Sequence, residues 1–245
     1  MSCIILIYSL PKVLILKLRY KKSFMSKNLI VQIFCPLIKG EKDHLAWQNN
    51  EVLALSKKLA KIYARKVGAE YKFITEPKIK FKHPTWERFG LFKDEYIKNY
   101  KNIMYLDTDV FCWPDAPNIF NFIKKGAFNV VQHCAFKTTP DGRPMFNAGV
   151  FILNEPSAII MRKTMTIPQW EARFKNDPNW EDSKELNDIV SILPSEKFHM
   201  LRDIRWNMKN KPDAFFTHLW GAQKKNNPNM PAIQKARLVE NFTML

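Results

Sequence analysis

Cysteine is scarce in this chain, and the four residues, Cys3, Cys35, Cys112 and Cys134, stand far apart. They form no Cys-x-x-Cys pair and no zinc-finger spacing, so no disulfide framework is indicated. That suits a reducing compartment and a cytoplasmic protein. Three of them lie in apolar, strand-like runs, where cysteine acts as a small hydrophobe. No long apolar run is present either. Residues 3–18 come nearest, but Pro11 and Lys12 interrupt them. They fall short of the roughly 18–20 apolar residues that span a bilayer. Arg19-Tyr20-Lys21-Lys22 follows this stretch, whereas a signal peptide carries its positive charge ahead of the apolar part. Two readings remain for residues 1–24: a weak peripheral membrane anchor, apolar plus basic, or upstream sequence ahead of a start at Met25. Internal repeats, long linkers and a dense basic arm are also missing. Lysines come only in short pairs such as Lys57-Lys58, Lys124-Lys125 and Lys224-Lys225. That scatter argues against nucleic acid as the partner.

What is present is ample apolar material and an excess of positive charge. The chain has 245 residues, 46% of them hydrophobic, enough to bury one sizeable core. A net charge of +16 favours anionic ligands, such as nucleotides or phosphorylated glycans. Residues 29–34 read as a first strand, 45–67 as a helix capped by Gly68, and 71–75 as a second strand. Strand, helix, strand is the signature of a parallel sheet. A second helix is expected over 86–100, with Trp86, Phe89, Phe92, Tyr96 and Ile97 on one face. A short helix follows at 119–124, then buried strands at 129–132 and 146–154. Helix is expected over 156–174 with a break near Pro168, and again over 183–192. A short edge element at 202–207 and a last strand from 215 complete the pattern. The domain is read as 25–225, with 226–245 as a basic, polar tail.

The organising stretch is 101–111, where the apolar run Ile103-Met104-Tyr105-Leu106 ends in Asp107-Thr108-Asp109. Four apolar residues bounded by polar ones read as a strand buried on both faces. Period-two alternation puts Asp107 and Asp109 on one side of an extended chain. Two such carboxylates at a strand end are costly to keep charged unless a cation lies between them. Oxygen donors suit Mg²⁺ or Mn²⁺, ions that usually share themselves with substrate phosphates. In open α/β sheets, ligands gather at the carboxyl ends of strands, where this pair falls. Farther on, Asn147-Ala148-Gly149 leads into an apolar run, a small-residue bend that permits close approach to the backbone.

Four stretches, in order, resemble glycosyltransferase family 8, of the GT-A fold, in its lipopolysaccharide galactosyltransferase and glycogenin branch. Met104 to Val110 looks like the family's metal-binding strand and DxD. Phe146-Asn147-Ala148-Gly149-Val150 is similar to its FNAGV-type strand. Asp182 with Leu186-Asn187, then Arg205-Trp206-Asn207, are similar to its D-Q-x-x-L-N helix and R-[FY]-N segment. His218-Leu219-Trp220-Gly221-Ala222-Gln223-Lys224 matches its H-x-x-G-x-x-K motif. The resemblance covers residues 29–225 and implies a single α/β, Rossmann-like domain with a mainly parallel central sheet flanked by helices.

It implies further that Asp107, Asp109 and His218 hold Mn²⁺ or Mg²⁺ against the diphosphate of a nucleotide sugar, a UDP-sugar in the first instance. Gly221 would let backbone close on the phosphates, Lys224 would add a cation, and Thr108 would lie in the same donor-binding loop. Asn147 would hydrogen-bond the donor sugar and Asp182 would orient it. Phe34 and Cys35 would lie near the base, and Arg88 and Lys93 are candidates for donor contacts. The acceptor would be a lipid- or protein-linked glycan. Some positions depart from the family. Ser183 stands where its helix carries Gln near the reacting carbon. Lys225-Asn226 replaces Pro-Trp, and Gln132-His133 stands where a sugar-binding acid is expected. The implied activity is hexose transfer with retention. Its rivals are an inverting GT-A transferase with Asp182 as base, a transferase that binds nucleotide without turnover, and a basic module that binds polyanions.

Overall fold

The computed structural model describes residues 27–35, 50–81, 84–93, 98–132, 145–163, 166–176, 182–208 and 213–219. Strand β1 (Asn28–Ile33) leads to helix α1 (Asn50–Lys66) and then to β2 (Ala69–Ile74). The two strands pair in parallel, as the strand–helix–strand pattern predicts. Helix α1 buries Ser56, Leu59, Ala60, Tyr63 and Ala64, an i, i+3, i+4, i+7 stripe. It ends at Gly68, whose φ of 68° is the left-handed conformation a side chain would resist. Arg65 and Lys66 fill the last turn, and Lys66 Nζ donates to the carbonyls of Pro114 and Ala116 at 2.7 and 2.8 Å. Positive charge there complements the helix dipole.

The remaining elements are β3 (Asn102–Leu106), β4 (Val110–Cys112), β5 (Phe128–Gln132), β6 (Phe146–Leu153), α2 (Glu155–Lys163), α3 (Ile167–Asn176), α4 (Asp182–Ile192), β7 (Phe198–Leu201) and β8 (Phe216–His218). Among the described residues, six strands form the main sheet in the order β2-β1-β3-β6-β5-β7. Only β6 runs against the others, so the sheet is mainly parallel. Strand β3 lies within the sheet and is buried along its whole length. Its alternation feeds two cores. Ile103 and Tyr105 join an aromatic cluster with Trp86, Phe89, Phe92, Phe128, Phe151 and Trp170. Met104 and Leu106 face the cluster of α1, which includes Tyr63, Ile152, Trp206 and Phe216. Full burial of each such side chain contributes about 1.5–3 kcal/mol.

Three expectations are corrected. The segment predicted as an α-helix over 86–100 is instead a 3-10 helix, Pro84–Phe92, with 94–97 outside the described residues. Trp86, Phe89 and Phe92 recur every three residues, and three residues per turn put them on one face. Nine residues is long for this form. Glu87 anchors it by accepting the backbone N–H groups of Lys78, Ile79 and Lys80 at 2.5, 2.8 and 2.6 Å. That grip also holds Lys80 at a φ of 53°. The helix expected at 119–124 is a single 3-10 turn, Ile119–Asn121, begun by the Asn118 side chain, which accepts from Phe120 N. The edge element expected at 202–207 lies earlier: β7 is the edge strand, and Ile204–Asn207 is a 3-10 turn capped by Asp203.

No helix among the described residues is long and apolar enough to cross a membrane. The anchor or upstream reading of residues 1–24 and the basic tail at 226–245 lie outside the described residues. So does the polar turn at 138–144.

Candidate metal centre

The stretch 107–109 links β3 of the main sheet to β4 of a two-stranded sheet whose partner is β8. The β4–β8 register pairs Val110 with His218, which brings a residue 109 positions downstream of Asp109 beside it. Leu219 N donates to Asp109 O at 3.0 Å and closes the junction. His218 Nε2 then lies 3.2 Å from Asp109 Oδ1 and 3.7 Å from Asp107 Oδ2. One donor atom from each of Asp107, Asp109 and His218 lies within 4.8 Å of the other two. Two hard oxygens and one imidazole nitrogen fit Mn²⁺ or Mg²⁺.

Gly149 is the fourth part of this cluster. Strand β6 passes beside β3, and Asp107 N donates to Gly149 O at 2.8 Å. A Cβ on Gly149 would run into His218 Cε1 and come within 2.7 Å of Asp107 Oδ2 and 2.8 Å of Asn147 Oδ1. The small residue at this position makes room for these side chains. The groups that approach Gly149 most closely are the side chains of His218, Asp107 and Asn147. The segment is strand from Phe146 onward rather than a bend.

Arg88 braces the other side. It is 3% exposed. Its Nη2 bonds Asp107 Oδ1 at 3.1 Å, its Nη1 bonds Ala148 O at 2.8 Å, and its Cζ stands 4.9 Å from the centre of the Tyr105 ring. Its Nε lies 3.0 Å from Asp182 Oδ2, yet the Nε–H is aimed at Thr85 O, 2.9 Å away. Asp182 Oδ2 therefore receives the charge of Arg88 without a hydrogen bond, and has no hydrogen-bond partner among the described residues. Burial alone would lower the Arg88 pKa. The carboxylates of Asp107 and Asp182, with smaller help from Tyr105 and Asp109, outweigh it and hold the guanidinium well above its ordinary value. Tyr105 donates to Asp107 Oδ1 at 2.6 Å. Burial, with Asp107 beside it, raises its pKa well above the usual phenol range, although Arg88 pulls the other way. Tyr105 thus remains a hydroxyl donor. The sequence carries no sign of this role. Residues 107–109 also correct the extended chain expected there. They form a turn closed by Val110 N donating to Asp107 O at 3.1 Å, and it is this turn that keeps both carboxylates beside His218.

The loop backbone is tied down from behind. Fully buried Gln32 donates from Nε2 to Asp107 O at 3.2 Å and to Ser56 Oγ at 2.8 Å. Ser56 donates in turn to Val110 O at 2.7 Å, and Tyr71 OH donates to Gln32 Oε1 at 2.8 Å. A glutamine inside a strand and a serine inside a helix gave no sequence signal of this role.

Asn147 lies at this end of β6, with Oδ1 accepting from Gly149 N at 2.7 Å. Asp182 and Ser183 open α4, where the Ser183 carbonyl accepts from Asn187 Nδ2 at 2.8 Å. Thr108 is buried between the two aspartates. Phe34 and Cys35 follow the carboxyl end of β1, next to β3. Phe34 N donates to Ile74 O at 2.8 Å, and Cys35 is buried. Burial, aided by Glu87, pushes the Cys35 thiol up to about 11. Lys93 is exposed and lines a separate cleft of about 150 Å³ with Lys78, Ile79, Phe89, Arg162 and Trp170. Gly221 and Lys224 lie outside the described residues.

No family model matches this chain, and no curated protein matches it. Among solved structures, the chain is similar to the crystal structure of a glycosyltransferase involved in the glycosylation of the major capsid of PBCV-1. The TM-score is 0.56 at 13% sequence identity, and the match covers 87% of this chain and 99% of that one. At that identity the likeness concerns the fold. The chain has the α/β architecture of GT-A glycosyltransferases, with a mainly parallel central sheet flanked by helices.

Proposed function

We propose that the protein is a metal-dependent glycosyltransferase of the family 8 type, moving a hexose from a UDP-sugar to a glycan acceptor with retention at the anomeric carbon. The observation that carries this reading is the convergence of Asp107, Asp109 and His218 at the carboxyl end of β3, in a GT-A fold. Bound Mn²⁺ or Mg²⁺ would neutralise the charge that develops on the leaving diphosphate. The protein's own groups do the rest. Asp107 and Asp109 supply hard oxygens, and His218 supplies an imidazole nitrogen that favours Mn²⁺. Arg88 and Tyr105 hold Asp107 so that one oxygen is engaged and the other faces His218. Asp182, buried and charge-paired with Arg88, is preset to orient sugar hydroxyls. Asn147, on the adjoining strand, sets its Oδ1 beside Asp107 and His218 around Gly149. A base in the inverting rival must release its charge and meet solvent or acceptor. A 6% exposed carboxylate locked to Arg88 suits orientation better.

The test is thermal stabilisation by a panel of nucleotides, each with and without Mn²⁺, on wild type and Asp109→Asn. A nucleoside diphosphate at 100 times its Kd should add about 2.7 kcal/mol, only with Mn²⁺, and only in wild type. Stabilisation by no nucleotide under any metal would overturn the reading. Salt-sensitive polyanion binding indifferent to metal would then favour the basic binding module.

A further inference from the structure

Residue 207 is an asparagine in a place where packing alone asks for an apolar side chain. It ends the 3-10 turn Ile204–Asn207 and is fully buried. The turn is pinned by Trp206, whose ring lies 4.8 Å from Phe215 and 5.3 Å from Phe216. Backbone bonds zip it to β8: Phe215 N donates to Arg205 O at 2.7 Å, Met208 N to Phe216 O at 3.0 Å, and His218 N to Met208 O at 2.9 Å. This zipper brings Asn207 Oδ1 to 3.0 Å from His218 Nδ1. The other half of the amide, Nδ2, is buried without a hydrogen-bond partner among the described residues. Among the described residues, the hydrogen bond this buried amide makes is the one between its oxygen and His218, and that is the role the structure gives it.

The used half is an acceptor. A carbonyl oxygen can only accept, so the imidazole nitrogen facing it carries the proton. The other nitrogen, Nε2, then offers a lone pair, and it is Nε2 that faces Asp109 Oδ1 and Asp107 Oδ2. We propose that Asn207 is the positioning residue of His218: its amide oxygen holds the proton on Nδ1 and so aims the Nε2 lone pair at a cation between Asp107 and Asp109. The inference rests on the metal reading of that triad. Partners of this kind set the tautomer and ring orientation of metal-bound histidines, and their loss typically costs 10–100-fold in metal affinity.

Three variants separate the acceptor role from a structural one. Asn207→Asp keeps an acceptor toward Nδ1 and removes the donor; Asn207→Leu keeps the volume and removes both; His218→Ala removes the receiver. The first readout is the ¹⁵N spectrum of the His218 ring in metal-free protein near pH 8. The second is Mn²⁺ affinity by titration without nucleotide. Wild type and Asn207→Asp are expected to show the proton on Nδ1 and to bind Mn²⁺ within a few-fold of each other. Asn207→Leu is expected to lose the Nδ1–H preference and 10–100-fold in Mn²⁺ affinity. In the His218→Ala background, Asn207→Leu should cost nothing further. A wild-type ring protonated at Nε2 alone overturns the proposal, as does an Asn207→Leu protein with undiminished affinity. An Asn207→Asp protein as damaged as Asn207→Leu also overturns it, since the donor would then be the half in use. If Asn207→Leu does not fold, the wild-type spectrum and Asn207→Asp still decide. If wild type binds no Mn²⁺, the metal reading fails, while the ring spectrum still reports on Asn207 alone.

Discussion

Gly149→Ala is the substitution whose outcome the geometry constrains most tightly. Gly149 lies in β6 with backbone angles open to any residue, so its φ is not what an alanine would disturb. Its cost is steric. The added methyl would meet His218 Cε1, Asp107 Oδ2 at 2.7 Å and Asn147 Oδ1 at 2.8 Å. Two of the three, His218 and Asp107, cannot yield cheaply. His218 is 3% exposed, held at Nδ1 by Asn207 and on its backbone by Met208. Asp107 is bonded through its other oxygen to Arg88 and Tyr105. Forcing one methylene-sized group into such packing costs about 1–3 kcal/mol. For a chain of this size each kcal/mol lowers Tm by about 2–4 °C, so a fall of roughly 2–12 °C is expected. The displaced imidazole should also abolish Mn²⁺-dependent stabilisation by nucleotide. Gly90→Ala is the control, because its Cβ would meet the Ile79 side chain no closer than 3.7 Å, an ordinary contact. Differential scanning calorimetry of both variants, with and without Mn²⁺ and nucleoside diphosphate, reads the result. If Gly149→Ala melts with wild type and keeps the metal-dependent shift, the triad is not packed around residue 149, and the site geometry argued above is wrong.

Two further outcomes follow from buried charge. Arg88→Met leaves Asp107 and Asp182 without their shared cation and should cost about 3–5 kcal/mol in denaturant unfolding. Arg88→Lys keeps the charge but not the forked geometry and should recover only part of it; if Arg88→Met is as stable as wild type, the guanidinium is not what neutralises that carboxylate pair. Glu185 gives a pH signature: burial raises its pKa in the folded state, although Trp170 and Arg173 pull it down. A raised acid binds more protons folded than unfolded, so its stabilisation is full below the ordinary glutamate value and is lost as pH rises through the folded one. Unfolding free energy should therefore decline across that interval, and Glu185→Gln should flatten the slope. A slope unchanged by Glu185→Gln would assign it to another group.

The strands could be read from sequence wherever burial leaves a run of apolar residues. β1, β3, β5 and β6 are such runs, and each was placed within a residue or two. β7 was not, because it is a half-buried edge strand carrying His199, and its short pattern has no periodic signal. The 84–92 segment misled for a different reason. Aromatic residues three apart satisfy both an α-helical stripe and a 3-10 face, and only the Glu87 anchor, which reaches back to 78–80, separates them. The site divides the same way. Asp107, Asp109 and Gly149 announce themselves locally. Arg88, Gln32 and Asn207 reach site partners at least 11 residues away in sequence, and nothing in their own neighbourhoods shows those partners. Tyr105 bonds Asp107 only two residues on, but its place in an apolar run reads as core.

The imidazole reaches the aspartates through strand register, and that makes the small β4–β8 sheet the decisive element. Side chains alternate with period two, so a slip of one residue would bring Thr217 or Leu219 to this position and turn the histidine to the other face. Both neighbours resist that exchange. Thr217 accepts from the Trp113 indole at 2.8 Å, and Leu219 packs with Leu59, Phe111 and Trp113. Their shared face buries an apolar cluster while His218 takes the opposite one. The same alternation that gives β4 and β8 their small core thus delivers the third donor atom to the site. A cavity on the Trp113 side, such as Trp113→Ala makes, should therefore loosen the Asp107–Asp109–His218 arrangement from the opposite face of β8 and weaken Mn²⁺ binding in titration.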